Sequence, residues 1–189
     1  MEKLQNMRSR LRAGKVYRRE QLESFSSSID RELKGLVEAG TLKKLETGLY
    51  YVPKITIFGE APPDRKEMIK AFLKDDNFLT MSLNNYHVLG LGTTQLYNKA
   101  VVYNHKRHGK FMLDGKSIEF KITGFPKNVT KEFLLVDLMN NIGSLAEDAN
   151  SIKENIKRKL AEYDKNRLKR FVKSFGKVKT KKFFDELLK

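Results

Sequence analysis

The chain has 189 residues, of which 40% are hydrophobic and 32% charged, enough apolar material to bury a core as one large or two small domains. Its 38 lysines and arginines against 23 acids give a charge of +15, which suits a polyanionic partner because each neutralised phosphate releases counterions. The lack of cysteine excludes disulfides, thiolate metal sites and thiol catalysis. No apolar run has the length of a membrane span and the start lacks a signal-peptide pattern, so we expect a cytoplasmic protein with no membrane partner.

Residues 1–53 predict three helices. Leu4, Met7 and Leu11 recur at helical spacing before Gly14, and a second short helix fits Arg19–Glu23 with Leu22 facing inward. Ser27 and Asp30 have the spacing of a capping box at the start of a third helix. This helix has one apolar face and Gly40 at its end. The apolar face consists of Ile29, Leu33, Leu36 and Val37.

After the third helix, the spacing of the hydrophobic residues changes from the helical period to that of strands. Residues 42–45 and the β-rich run 49–52 flank Gly48, and Pro53 stops the second run. Two short strands about a glycine turn make a hairpin. Three helices followed by a lysine-rich hairpin have the order of a winged helix-turn-helix, which we assign to residues 1–53.

Residues 54–189 predict a second domain, a small α+β region followed by a helical C-terminus. Residues 54–64 carry glycine and prolines typical of a linker, and a helix should follow to about Lys74. Asp114-Gly115 is a strong hairpin turn between two strands. The remaining patterns predict strands at 78–81, 100–103, 110–113 and 117–123, and helices at 83–89, 129–141, 152–163, 166–175 and 180–188. The whole chain is therefore predicted to be α+β.

The third helix is the sharpest candidate for DNA contact, because the N-terminal half of such a helix enters the major groove. Arg31 is suited to a guanine edge, and the serines to phosphates or base edges at the positive helix end. Lysines on the hairpin suit phosphate or minor-groove contacts. The alternative is that these positions are only a solvated helix surface, and we favour DNA binding over it. The candidate DNA-binding residues are Arg18, Arg19, Ser27, Ser28, Arg31, Lys34, Lys43 and Lys44.

The C-terminal helices hold a second candidate surface. Residues 153–182 contain 13 lysines and arginines against 3 acids. The first interpretation of this surplus is a solvated basic face over a core stripe. The alternative is an acidic or nucleic-acid partner, because the surplus exceeds what solubility requires. The candidate partner-binding residues are Lys157, Arg158, Arg167 and Arg170.

Catalysis finds little support in the sequence. An active site would have to be assembled from Asp75, Asp76, His87 and Glu119, and the other two histidines flank Lys106-Arg107. No phosphate-binding glycine loop, nucleophile elbow or paired metal-binding histidines occur. We expect no catalytic site, metal or cofactor.

Three stretches carry a family resemblance. GKVYRREQL and then SSSIDRELKGLVEAGTLKKLETGLYYVP closely resemble the N-terminal winged helix of AbiEi-type antitoxins, from type IV toxin–antitoxin systems. VLGLGTTQ at 88–95 looks like the family's glycine-leucine-threonine segment, so the resemblance covers most of residues 14–125. The family's run of leucine, basic residue, leucine, glycine and tyrosine is matched here by Leu42, Lys44, Leu45, Gly48 and Tyr50, with Val52-Pro53 closing it.

The resemblance implies a non-enzymatic protein that represses its own operon by binding repeats in double-stranded promoter DNA. It also implies that the C-terminal part counteracts a nucleotidyltransferase-like toxin. The C-terminal part is more compact here than in longer members. Two alternatives stay open: a stand-alone winged-helix regulator with an effector-binding C-terminal region, and a nucleic-acid-processing enzyme.

Overall fold

A computed structural model describes residues 8–26 and 28–189 of the chain. Of the described residues 46% are helical and 20% lie in strands, which confirms the predicted α+β class. The chain divides into two compact units. The N-terminal unit takes the described residues up to Phe78 together with Gly109–Ile118, and the C-terminal unit takes Leu79–His108 and Glu119–Lys189. The predicted functional boundary after Pro53 stays a prediction.

The N-terminal unit begins with a helical turn at residues 8–10, while Leu4 and Met7 of the predicted first helix lie outside the described residues. Strand β1 (Val16–Arg18), α1 (Arg19–Glu23), α2 (Ile29–Glu38), β2 (Lys43–Glu46) and β3 (Leu49–Tyr51) follow. The three strands form one antiparallel sheet in the order β1-β3-β2. The two helices and the hairpin confirm the predicted elements, whereas β1 was not predicted.

Helix α2 forms because its apolar residues repeat on one face, and three of them, Ile29, Leu33 and Leu36, are buried against Leu22 of α1. Gly40 follows the helix in the left-handed region with φ +68°, as predicted for a helix end. Ser28 stands at the N-cap without a side-chain capping bond. This N-cap lies one residue later than the predicted capping box requires, and Ser27, the serine of that prediction, lies outside the described residues.

The segment predicted as a linker is a second hairpin, β4 (Lys54–Thr56) and β5 (Gly59–Ala61). Glycine and prolines are typical of loops. Here Gly59 begins β5 directly after the turn, with φ +99°, and the prolines follow the hairpin. Helix α3 (Arg65–Leu73) begins as predicted, with the Asp64 carboxylate accepting from the Glu67 N–H at 2.8 Å.

The tip of a later hairpin belongs to the N-terminal unit, although the sequence analysis assigned it to the second domain. Strands β8 (Gly109–Leu113) and β9 (Lys116–Ile122) turn at Asp114-Gly115, where both residues have positive φ. The Asp114 N–H donates to the Leu45 carbonyl of β2 at 3.3 Å, and the rings of Phe111 and Phe72 meet edge to face.

The C-terminal unit contains β6 (Leu79–Met81), a 3₁₀ helix (Leu83–Leu89) and β7 (Ala100–Asn104), and β6 and β7 pair antiparallel. Four helices follow: α4 (Lys131–Asn141), α5 (Ala149–Lys159), α6 (Lys165–Phe175) and α7 (Val178–Leu187). Helix α4 is the core element, because apolar residues on nearly every side of it are buried. These four helices match the predicted ones to within three residues at their starts.

A polar network lies inside this core. The Tyr86 and Tyr103 hydroxyls each donate to the Asp137 carboxylate at 2.8 Å, and the Asn141 amide donates to both hydroxyls, at 3.1 and 3.3 Å. All four residues are buried. Burial raises the pKa of Asp137, and the two tyrosine hydroxyls oppose this rise because they stabilise the ionised carboxylate. The network therefore links the 3₁₀ helix, β7 and α4.

We expect Tyr86→Phe to lower the free energy of unfolding by about 1.5–3 kcal/mol, because it removes a hydrogen bond to a buried carboxylate. Losing the donor raises the pKa of Asp137 further. The difference in free energy of unfolding between wild type and variant should therefore be largest where Asp137 is ionised. It should shrink as the pH falls through the pKa of Asp137. Urea unfolding at several pH values measures both effects.

Tyr163→Phe is the matched control, since Tyr163 is also buried but its hydroxyl donates no hydrogen bond to a described residue. Equal losses in the two variants, or a deficit that is independent of pH, would contradict the prediction.

Candidate nucleic-acid interface

Helices α1 and α2 are joined by one guanidinium. Arg19 donates from Nε to Asp30 Oδ1 at 2.7 Å and from Nη2 to Asp30 Oδ2 at 2.8 Å, and Nη1 lies 3.3 Å from a Glu23 oxygen. These contacts raise the pKa of Arg19, through Asp30 first, and the guanidinium lowers the pKa of Asp30. Arg19, predicted to contact phosphate, therefore acts within the fold as a link between α1 and α2.

The turn between these helices is held by Ser26. Its hydroxyl donates to Glu32 Oε1 at 2.6 Å and accepts from the Ser28 N–H at 3.0 Å. Glu32 is buried, on the same face of α2 as Leu33 and Leu36. Ser28, a predicted DNA contact, is half-buried at the N-cap. The sequence signal for this arrangement was the glutamate that falls beside Leu33 on the inner face.

With Asp30 engaged by Arg19, the outer face of α2 presents two cations. Arg31 is exposed and has no hydrogen-bond or ion-pair partner among the described residues. Lys34 is exposed and lies 3.9 Å from a Glu38 oxygen, a loose surface pair. Arg31 therefore keeps all its donors for an external acceptor.

The two lysines predicted on the hairpin differ in their surroundings. Lys43 Nζ lies 2.6 Å from Glu60 Oε1 of β5, and this bond raises the pKa of Lys43. Lys44 is exposed, and no described residue pairs with it. Lys54, which the sequence analysis did not single out, is likewise exposed on β4 without an ion-pair partner in the described part of the chain. Among the described residues of α2, β2 and β4, the cations without an ion-pair partner are thus Arg31, Lys44 and Lys54.

Arg18 is directed into the fold. Its Nη1 donates to the Ala71 carbonyl of α3 at 2.6 Å, and Glu20 lies beside its guanidinium. Glu20 also accepts from Lys74 at 2.7 Å, and its pKa is lowered by this bond first. The arginine predicted to bind phosphate therefore attaches β1 and α1 to α3.

In the C-terminal unit the four candidate partner residues are exposed. Lys157 pairs with Glu154 at 2.7 Å, Arg158 donates to Asn155, and Arg167 lies 3.8 Å from Glu132. Arg170 has no partner among the described residues. The candidates thus lie on two successive helices, α5 and α6, and differ in how freely they can bind.

A groove between α6 and α7 adds a feature that the sequence analysis missed. It has a volume of about 570 Å³. Val172 and Leu188 form its apolar part, beside Asp185. Its basic lining consists of Lys169, Lys173, Lys181 and Lys189. Such a combination fits an acidic ligand with an apolar side.

The acidic residues considered for catalysis are distributed over both units. Asp76 follows α3 and pairs with Lys70 at 3.3 Å, and Asp75 accepts from the Asn77 N–H. Glu119 lies in β9 and pairs with Lys99 at 2.7 Å. His87 is half-buried, with Nε2 3.0 Å from the Gln95 carbonyl oxygen. Within residues 8–26 and 28–189, His, Asp and Glu nowhere cluster in threes in a way that would hold a metal ion.

None of the helices in the described ranges combines the length and apolar character needed to cross a membrane.

The comparisons with known proteins give one match. The model of the DUF6088 family, described as a family of unknown function, matches residues 4–174. Neither the search of curated proteins nor the search of solved structures found a match.

Proposed function

Since the chain belongs to DUF6088, a family of unknown function, its role has to be inferred from its own residues, and we propose that it is a DNA-binding transcriptional repressor. Its N-terminal unit reads promoter DNA, with α2 as the recognition helix and the β2–β3 hairpin as the wing. The protein represses its own promoter, as the resemblance to AbiEi-type antitoxins implies.

The order of elements supports a winged helix-turn-helix. A helical turn, β1, α1, α2, β2 and β3 follow one another, and the first strand pairs with the last. Along the chain, α1 and α2 therefore lie between the first and the later strands of one sheet, as in winged helix-turn-helix proteins. The short turn between α1 and α2 is tied by Ser26 and Glu32, so the two helices have a defined crossing.

The observation that carries the proposal is the state of the α2 surface. Asp30 is engaged by Arg19, while Arg31, the next residue, is exposed with its guanidinium free of described partners. An arginine on the first turn of a rigid helix can donate two parallel bonds to guanine O6 and N7. Lys44 on the wing supplies a second free cation for a neighbouring phosphate.

Arg31→Ala should weaken binding to promoter DNA by about 1–3 kcal/mol and relax the preference for promoter over unrelated duplex. Arg31→Lys keeps the charge without the bidentate geometry and should lose most of the same preference. Gel-shift titration against the chain's own promoter measures both.

Arg170→Ala is the matched control, because it removes an equally exposed, unpaired arginine from the C-terminal unit. Unchanged promoter affinity in Arg31→Ala, or an equal loss in Arg170→Ala, would contradict the assignment of α2.

Lys44→Ala should weaken binding to all duplexes alike and reduce the slope of log affinity against log salt by about one phosphate contact. Lys43→Ala removes the same charge but from a lysine already paired with Glu60, so its slope should change less. Titrations at several salt concentrations compare the two. A change in sequence preference at constant slope would show instead that the wing reads bases.

A second function is favoured by the α6–α7 groove. We propose that the C-terminal unit binds an acidic protein partner, which the resemblance to AbiEi-type antitoxins identifies as a nucleotidyltransferase-like toxin. Lysines around an apolar floor attract an acidic surface and let its apolar side chains pack, a combination that gives both association rate and affinity. A stand-alone regulator would have no such protein partner.

Lys169→Glu combined with Lys173→Glu should weaken partner binding by about tenfold or more, since like charges then face each other. Growth after co-expression with the product of the neighbouring gene measures neutralisation, and a promoter reporter measures repression. Lys157→Glu with Arg158→Glu carries the same charge change on α5 and tests whether the surface reaches the other predicted residues. Full growth rescue by both double variants would refute the partner proposal.

A further inference from the structure

The β4–β5 hairpin ends in apolar side chains that are largely exposed to solvent. Ile57 and Phe58, the two turn residues, are 92% and 93% exposed, and Ile55 on β4 is 74% exposed. Turn positions usually carry polar residues or glycine. Neighbouring exposed apolar side chains of this size mark an interaction site more often than an ordinary surface.

The tip is held in one conformation by its own hydrogen bonds. The Thr56 hydroxyl donates to the Gly59 carbonyl at 2.8 Å and accepts from the Phe58 N–H at 3.2 Å. Thr56 and Gly59 are also paired in register, and Gly59 takes the positive φ that the turn needs. Ile57 and Phe58 are therefore presented by a fixed turn.

The hairpin is also fixed to the wing. Lys43 of β2 pairs with Glu60 of β5, and the Tyr51 hydroxyl of β3 donates to the Ala61 carbonyl at 2.8 Å. Lys54, a free cation, begins the same hairpin. A narrow apolar tip with a lysine at its base is thus attached to the element proposed to contact phosphate.

We propose that the β4–β5 hairpin enters the minor groove of DNA and inserts Phe58, with Ile57 beside it, between base pairs as a wedge that bends the duplex. The inference rests on the proposed DNA-binding function. Proteins that bend DNA from the minor groove use phenylalanine, leucine, isoleucine or methionine in this way, and Lys54 would neutralise a phosphate at the groove edge. Flexible pyrimidine–purine steps are the favoured insertion points.

Charge and area favour DNA over the other occupants of such a tip. A second copy of this chain would bring the same positive charge, and three side chains supply far less than the roughly 600 Å² per partner that a stable dimer buries. A lipid surface needs a larger apolar face or a second anchor for stable binding. A wedge needs only one or two side chains, because affinity comes from the phosphate contacts of the surrounding surface.

The test uses the full chain and a duplex of about 30 base pairs, a standard length for bending assays. The duplex has a central TA step, a fluorophore pair at its ends and 2-aminopurine at the step. Wild-type protein should raise energy transfer between the ends and raise 2-aminopurine fluorescence, which reports unstacking. Phe58→Ser should abolish both signals and weaken binding by roughly tenfold, as expected when an aromatic side chain is no longer buried. Phe58→Leu should retain bending.

Leu96→Ser is the control, since Leu96 is 86% exposed in the C-terminal unit and its loss should leave bending unchanged. Binding of wild-type protein without bending or unstacking would overturn the wedge and leave the proposed function standing. No binding to any duplex would overturn both. Loss of a wild-type dimer in Phe58→Ser, seen by sedimentation, would assign the tip to self-association. Loss of binding to phosphatidylserine vesicles would assign it to a membrane, and either result overturns the wedge.

Discussion

Arg19 connects three parts of the N-terminal unit. Its guanidinium holds the Asp30 carboxylate of α2 through two parallel bonds, and its backbone N–H donates to the Gly48 carbonyl in the turn of the wing hairpin at 2.9 Å. A bidentate pair fixes direction as well as distance, so α1 and α2 cannot rotate about each other without breaking both bonds. The pair is partly exposed, and salt weakens it. The orientation of α2, and with it the direction of Arg31, depends on this pair together with the apolar contacts of Leu22 and Leu33.

The same pairing explains why charge counting gives an incomplete view of this surface. Of the eight residues predicted to contact DNA, Arg18, Arg19 and Lys43 are engaged with Ala71, Asp30 and Glu60. Each of these three cations attaches one element to another, whereas Arg31 and Lys44 have no partner among the described residues and can bind an anion. The binding potential of the unit is thus concentrated in a few residues on α2 and the hairpins. A uniform basic surface would give affinity without register, whereas fixed, separate cations give register as well.

Local patterns predicted most of the fold. Helix α2, the β2–β3 hairpin and the Asp114-Gly115 turn follow from residues close in sequence, whose periodicity or turn chemistry needs no distant partner. Strand β1 was missed because three residues acquire strand structure only by pairing with β3, more than thirty residues later. The β4–β5 hairpin was missed because its glycine and prolines are typical of linkers, and an Ile-Phe turn is unusual. For the site, the sequence predicted which helix carries Arg31 but could not show that Asp30 is occupied by Arg19, a contact eleven residues apart.

In the C-terminal unit, the acids near the basic helices are used locally. Asp148 and Asp164 accept from the Ser151 and Arg167 N–H groups at the starts of α5 and α6, and these bonds lower the pKa of each carboxyl. A carboxylate that caps a helix still cancels charge at long range, but it does not occupy a lysine side chain. The surplus over residues 153–182 therefore remains as ammonium and guanidinium groups on the helix surfaces, some paired, as Lys157 is, and some without a partner among the described residues, as Arg170 is. Such a surface attracts any acidic partner at a distance. Discrimination between nucleic acid and protein must come from the apolar floor beside the lysines. A phosphate backbone offers no apolar surface to pack against Val172 and Leu188, whereas a protein surface does.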